Sequence, residues 1–423
     1  MNIFYSFLLF ISFLFYIPLY FVRLKILRGE SLFLRERLGI RLPEKAAGKK
    51  SLWIHAVSVG EVLSLQNLIK KIKERHPDWT IHFSTLTNTG MRIAREKLVE
   101  ADHIFFIPLD FTCIVRRFFN VLEPKLFVLA ESEFWPNLLK EAHKLTKGVL
   151  VINGRISPRS FKRYSLLRFF AKRILKNISL FLMQTEKDKE KLEQIGVNSE
   201  GIRVAGNLKC EISLPPLNDK DILRLKNGLN IAEAKKVIVA GSTRKGEERK
   251  LIEAYTKARR LREGIVLILA PRHSERAEEV ERICQSFPFP TVRKTKISTD
   301  TQWDVMILDT MGELAQFYAL CDIAFIGGSL IPWGGQNLLE PAFYEKPIFF
   351  GPHMENFAFL AEKFIQSEAA RTVYSENDLV EMFMIQDEKS LDEMGNKAKE
   401  TLNLLQGATE RTLSAIETFM AEA

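Results

Sequence analysis

The chain has 423 residues, 46% of them hydrophobic and 27% charged, and a formal charge of +9 at neutral pH. That length allows two or three domains, each burying its own core. Lysines and arginines run through the whole sequence with no basic block and no DNA- or RNA-reading motif, which excludes a nucleic-acid partner. The four cysteines, Cys113, Cys210, Cys284 and Cys321, never form C-x-x-C, and so read as buried reduced thiols with no zinc site.

The first element is a run without charge, residues 3–22, rich in Phe, Leu, Ile and Tyr. As a helix it would reach roughly 30 Å, the thickness of bilayer hydrocarbon. Residues 1–28 are therefore expected to anchor the chain in a membrane, with a shallow monotopic insertion left open by Pro18. No basic residue precedes the run and no small-x-small site follows it, so cleavage as a signal peptide is not expected. Arg23, Lys25, Arg28, Arg35 and Arg37 follow the run, which places the remainder of the chain in the cytoplasm and makes anionic lipid the expected partner.

From residue 51 short apolar runs alternate with amphipathic stretches, at 52–56, 81–85, 104–108, 126–130, 149–153, 180–184 and 202–206. Runs of this kind suit parallel strands buried on both faces, with helices above and below. Residues 29–212 are thus expected to form one doubly wound lobe. Ser58-Val59-Gly60-Glu61 closes the first run with the spacing of a capping box, in which Glu61 would satisfy the helix start. Its position at a strand's carboxyl end also suits a base facing a ligand. Glu131 and Glu133 follow the fourth run and, in an extended segment, would point to one side; Glu131 is the favoured of the two. Lys209 ends the last run beside the paired prolines Pro215 and Pro216, which mark a hinge at 213–220.

The alternation restarts at 237–240, 266–270, 305–308, 323–326 and 347–350, giving a second doubly wound lobe over 221–405. After Asn356 the chain reads as helices to its end, the last of them, 406–423, free to pack back across the hinge. Strand-end turns at 240–243, 270–273 and 309–314, joined by Gly327-Gly328-Ser329, suggest backbone donors gathered around a phosphate, with Arg272 as a bidentate partner. His273 reads as a structural hydrogen-bonding residue. Asn337 is placed to cap a short helix, with Glu340 as its capping-box partner. There is no P-loop, no early G-x-G-x-x-G, no H-E-x-x-H and no G-x-S-x-G. The one D-x-D, at Asp219 and Asp221, lies beside the hinge, so no metal-held diphosphate is expected.

Taken in order, Arg35 to Gly39, His55 to Glu61, Glu131 to Pro136, Val151 to Arg155, Gly206 to Lys209, Ala270 to His273 and Gly335 to Pro341 resemble the Kdo (3-deoxy-D-manno-octulosonic acid) transferases over nearly the whole chain. The resemblance implies the GT-B architecture, two Rossmann-like lobes, the first for the acceptor and the second for the CMP-sugar. It implies transfer of Kdo from CMP-Kdo to a lipid A precursor at the cytoplasmic face of the inner membrane, without metal or cofactor. Glu61 then matches the family's general base, and Glu131 and Lys209 match residues that stabilise the transition state. Pro271, Arg272, Met311, Gly312, Glu313, Asn337, Leu338, Leu339 and Glu340 match the CMP-binding positions, while Glu345 departs from the glycine usual before x-Pro in the wider GT-B pattern. A GT-B transferase using a UDP-sugar, a sugar-nucleotide epimerase and a membrane-tethered nucleotide sensor are the alternatives.

Overall fold

A computed structural model describes residues 33–43, 50–212, 214–231 and 235–422, with Tyr5, Leu9 and Ile11 near the start. The expected anchor at 3–22 lies, apart from those three residues, outside this set. Among the described residues no helix is long and apolar enough to cross a membrane. The chain divides into two compact units, Met1–Glu211 with Gln406–Ala423, and Ile212–Leu405.

The first unit is built on β1 (Ser51–Ala56), β2 (Thr80–Thr85), β3 (His103–Phe106), β4 (Leu126–Ala130), β5 (Gly148–Gly154), β6 (Leu180–Met183) and β7 (Ile202–Val204), ordered β3-β2-β1-β4-β5-β6-β7. Every pairing is parallel. Alternate residues explain why the central strands carry apolar side chains on both faces. Leu52, Ile54, Leu126, Val128, Leu150 and Ile152 face a core closed by helices Val59–Arg75 and Ala408–Ala421. Trp53, Phe127, Leu129, Val149 and Val151 face the opposite core, closed by Thr112–Leu122 and Pro136–Leu145. Each buried Leu, Ile or Phe contributes roughly 1.5–3 kcal/mol, so both faces of the sheet are held.

The second unit repeats the plan with β8 (Lys236–Thr243), β9 (Ile265–Pro271), β10 (Thr291–Arg293), β11 (Val305–Ile307), β12 (Ile323–Ile326), β13 (Ile348–Phe350) and β14 (Ala370–Thr372), ordered β10-β11-β9-β8-β12-β13-β14. Two of these strands depart from the expected pattern. β10 is not among the apolar runs, and β14 interrupts the stretch read as helices to the chain end. Both are three-residue edge strands, with a partly exposed Arg293 in one and an exposed Arg371 in the other, so neither carries an apolar run. A third correction concerns the cysteines: all four are free, but Cys113 is exposed. Asp221 of the D-x-D closes a capping box with Asn218 at the start of helix Asp219–Gly228, which accounts for that motif locally.

The strand order reverses between β1 and β4 in the first sheet and between β8 and β12 in the second. In open α/β sheets ligands sit at the carboxyl ends of strands at such switch points.

Candidate active site

At the first switch point, the sequence after β1 is Val57-Ser58-Val59-Gly60-Glu61. Ser58 caps the helix Val59–Arg75, its Oγ accepting from the Glu61 N–H at 3.4 Å. The Glu61 carboxylate folds back: Oε2 accepts the Val57 N–H at 2.8 Å and Oε1 accepts the Ser58 hydroxyl at 2.7 Å. This is a capping box displaced by one residue, so the capping role expected of Glu61 is real. It does not exhaust the residue. Glu61 is only 7% exposed, and burial lifts its carboxyl above the usual carboxylate range against those two hydrogen bonds. The charge of Glu131 pushes the same way and that of Lys209 opposes it. A Cβ placed on Gly60 would meet nothing within 4 Å, so the helix start is open there.

Glu131 directly follows β4. It is not extended, as the sequence reading had it, but left-handed, with φ 58°, which is costly for a residue with a Cβ. Its N–H continues the ladder to Ile152 O at 2.9 Å while the left-handed turn redirects the chain. Its side chain meets Lys209 Nζ at 2.8 Å. Glu133, expected on the same side, instead accepts the indole N–H of Trp135 at 3.1 Å. Lys209 lies in the short turn Leu208–Cys210, where Asn207 Oδ1 accepts the Lys209 N–H at 2.9 Å. Asn153, also left-handed at φ 52°, accepts the Leu208 N–H at 3.0 Å and so ties the end of β5 to the lysine turn. The sequence marks Asn153 only as part of a motif; its role is visible in the structure alone. Glu61, Glu131 and Lys209 thus come together at one switch point.

Before β1, the helix Leu34–Arg37 is fixed to the same end of the sheet. Arg37 lies 4.7 Å from the centroid of Phe106 and donates to Leu86 O, just past β2.

In the second unit the phosphate-cradle expectation needs correcting. The N–H groups of Gly328, Ser329 and Leu330 all donate to the carboxylate of Glu247, at 2.6, 2.9 and 2.8 Å, and Arg244 N–H joins them at 2.8 Å. Glu247 is fully buried. This side chain already occupies the nest after β12, so those donors serve the fold rather than a ligand. The sequence held a faint signal, a carboxylate directly after Gly246 at a helix start, which is easily taken for a dipole partner.

The remaining strand ends carry the other named residues. Pro271 is the buried last residue of β9, and Arg272 next to it is exposed, its N–H donating to Thr243 O at 3.0 Å. Burial raises the Glu340 carboxyl above the ordinary range, and the nearby Arg272 charge pulls it back. Met311 is 66% exposed, and Gly312 is left-handed at φ 84° with open space where a Cβ would stand. Glu313 is paired with Lys294 at 2.8 Å; against the cost of its burial, Lys294 and Thr310 hold it below the usual range. The N-cap of helix Leu339–Phe343 is Leu338, while Asn337 Oδ1 accepts the Leu339 N–H at 3.1 Å, so the expected Asn337–Glu340 capping box does not form. Leu338 and Leu339 have buried side chains, which leaves only their backbone for a ligand. His273 bonds Arg244 at 2.9 Å, and that guanidinium lies 5.1 Å from the Trp333 ring centroid. Among the described residues no group of three His, Cys, Asp or Glu is arranged to hold a metal ion.

Residues 33–212 match the family model for 3-deoxy-D-manno-octulosonic-acid transferase (kdotransferase). A 3-deoxy-D-manno-octulosonic acid transferase of Chlamydia trachomatis serovar A is 31% identical, over 89% of this chain and 87% of the relative. A bifunctional glycosyltransferase/methyltransferase of Fusobacterium nucleatum is 34% identical over 84% of this chain, which spans only 55% of that longer protein. In fold alone, the UDP-GlcNAc 2-epimerase of Neisseria meningitidis bound to UDP-GlcNAc is similar, with a TM-score of 0.54 at 11% identity over 88% of this chain and all of that one. With the relative from Chlamydia matched through both units, the chain belongs to the 3-deoxy-D-manno-octulosonic acid transferase family.

Proposed function

We propose that this protein is an inverting glycosyltransferase that moves Kdo from CMP-Kdo to a lipid A precursor, lipid IVA, in lipopolysaccharide biosynthesis. The observation that carries the reading is the buried carboxyl of Glu61 at the first switch point, where the Glu131–Lys209 pair also stands, in a chain of this family.

In the reaction the acceptor hydroxyl oxygen bonds to the anomeric carbon of Kdo as the bond from that carbon to the phosphate oxygen breaks. CMP leaves with the bonding electrons, and the hydroxyl proton goes to Glu61. A base with a raised pKa holds that proton better at neutral pH, a contribution of about 10²- to 10⁴-fold. Lys209 supplies positive charge where negative charge gathers, and Glu131 fixes its ammonium and stands close to the cationic sugar. In the second unit Arg272 meets the phosphate, and Asn337, Glu340, Glu313 and the open backbone at Gly312 hold the nucleotide without a metal. Residues 3–22 anchor the chain, placing it on the cytoplasmic face of the inner membrane with anionic lipid beside it.

The test incubates the full chain with CMP-Kdo and lipid IVA and weighs the lipid products. One or more added Kdo masses are expected. No product with this pair, alongside turnover of a UDP-sugar, overturns the donor assignment.

A further inference from the structure

Although the basic residues look evenly spread in sequence, one stretch departs from the average. Between Arg159 and Lys176 there are seven Lys or Arg and no Asp or Glu. The stretch folds as two consecutive helices, Pro158–Leu166 and Arg168–Leu175. At their junction Leu166, Leu167, Phe169 and Phe170 are 84%, 49%, 74% and 47% exposed. The two phenylalanine rings pack edge to face, 5.7 Å apart, against each other rather than into the core. Four adjacent large apolar side chains in water are unfavourable unless something covers them.

The charge around them identifies the cover. Phe169, Arg173 and Lys176 fall at i, i+4 and i+7, one stripe of a helix. That stripe runs into a cavity of about 240 Å³ between this helix and Pro136–Leu145, lined by Lys140, His143, Lys144, Arg173 and Lys176 with no carboxylate. Among the described residues none of these five side chains has an acidic partner. Leu145, the next residue after Lys144, is also 44% exposed. Apolar side chains beside unpaired cations and a small basic pocket match a surface whose hydrocarbon lies just under phosphate groups.

We propose that the helix pair 158–175 docks on an anionic phospholipid bilayer, with Leu166, Leu167, Phe169 and Phe170 entering the interface and the Lys140–Lys176 pocket taking a lipid phosphate. This contact is made by the globular first unit itself and is separate from the proposed anchor at 3–22. It deepens the membrane reading without depending on which sugar is transferred.

The experiment uses the full chain with Cys113→Ser and a single polarity-sensitive fluorophore on Phe170→Cys, or on Val99→Cys as a site elsewhere on the unit. Each is mixed with vesicles of phosphatidylcholine alone or with phosphatidylglycerol added, and co-sedimentation reports whether the chain is bound. With phosphatidylglycerol the probe at 170 is expected to shift to the blue while the probe at 99 does not. Arg173→Glu with Lys176→Glu should abolish that shift. A probe at 170 that stays in water on sedimented, vesicle-bound chain overturns the proposal. So does a shift that appears only when lipid A precursor is added, which would make the surface an acceptor site instead. Neither outcome decides whether CMP-Kdo and lipid IVA give product, so this docking and the proposed reaction fail separately.

Discussion

Glu61 has two jobs with opposed demands. Its oxygens hold the Val57 N–H and the Ser58 hydroxyl, which favours the ionised form, while burial favours the protonated one and wins. Glu61→Gln keeps a similar shape and can still accept from Val57, so CMP binding is expected to be unchanged while transfer falls at least about 10²-fold. Equilibrium CMP titration and turnover on one preparation check this; near-normal turnover would remove Glu61 as the base. The base must be ionised to act, so activity is lost as pH falls through a raised carboxyl pKa. The neighbours then give the sign of two further shifts. Lys209 pulls that pKa down, so Lys209→Met should move the acid limb of kcat/KM to higher pH. Glu131 pushes it up, so Glu131→Gln should move the limb to lower pH. Limbs that move in the same direction in both variants would show that the pair acts on something other than Glu61.

At the scale of elements, Glu247 and Gly327 hold the second switch point. Removing the carboxylate by Glu247→Ala strands the N–H groups of Arg244, Gly328, Ser329 and Leu330, and a buried unsatisfied donor costs about 1–3 kcal/mol. The denaturation midpoint should fall by far more than for a surface substitution, with Glu247→Gln in between because one acceptor oxygen remains. Gly327→Ala is expected to cost about 1–3 kcal/mol of unfolding free energy, since the added Cβ would sit 2.6 Å from Ser242 O and Thr243 backbone atoms where β8 and β12 diverge. These elements also show what the sequence makes legible. Long strands buried on both faces announce themselves as apolar runs, because every side chain meets a helix layer. β10 and β14 do not, because a three-residue edge strand is held by its ladder and needs no apolar run. At the site, Glu131 and Lys209 are visible as strand-end residues. The left-handed turn at Glu131 and the clasp of Asn153 on Leu208 are not, because both follow from tertiary contacts across the sheet. The glycines after β12 misled for a related reason: a glycine-rich turn looks the same whether its donors meet a phosphate or a glutamate from the neighbouring strand's helix.

On the scale of the molecule, the first unit is discontinuous: the chain leaves it after Glu211 and returns at Gln406. The returning helix Ala408–Ala421 places Leu413, Ile416 and Met420 in the same core as β1, β4 and β5. Polar contacts join it too, ion pairs of Lys71 and Arg75 with Glu410 and a hydrogen bond between His76 and Glu417, but these are partly exposed. Exposed pairs contribute about 0–1 kcal/mol each, whereas burying three large apolar side chains contributes roughly 5–9 kcal/mol. That is comparable with the whole stability of a domain, about 5–15 kcal/mol. Packing, not charge, should therefore decide the outcome of removing the helix. Ending the chain at Leu405 is expected to strip hydrogen-exchange protection from β1, β4 and β5 while β8, β9 and β12, whose core lies wholly within residues 212–405, keep theirs. Glu410→Ala in the full chain should leave both sets protected. Retained protection of β1 in the shortened chain would show that the first sheet is closed without its last helix, and loss of protection in Glu410→Ala would show that the ion pairs carry more than their exposure allows.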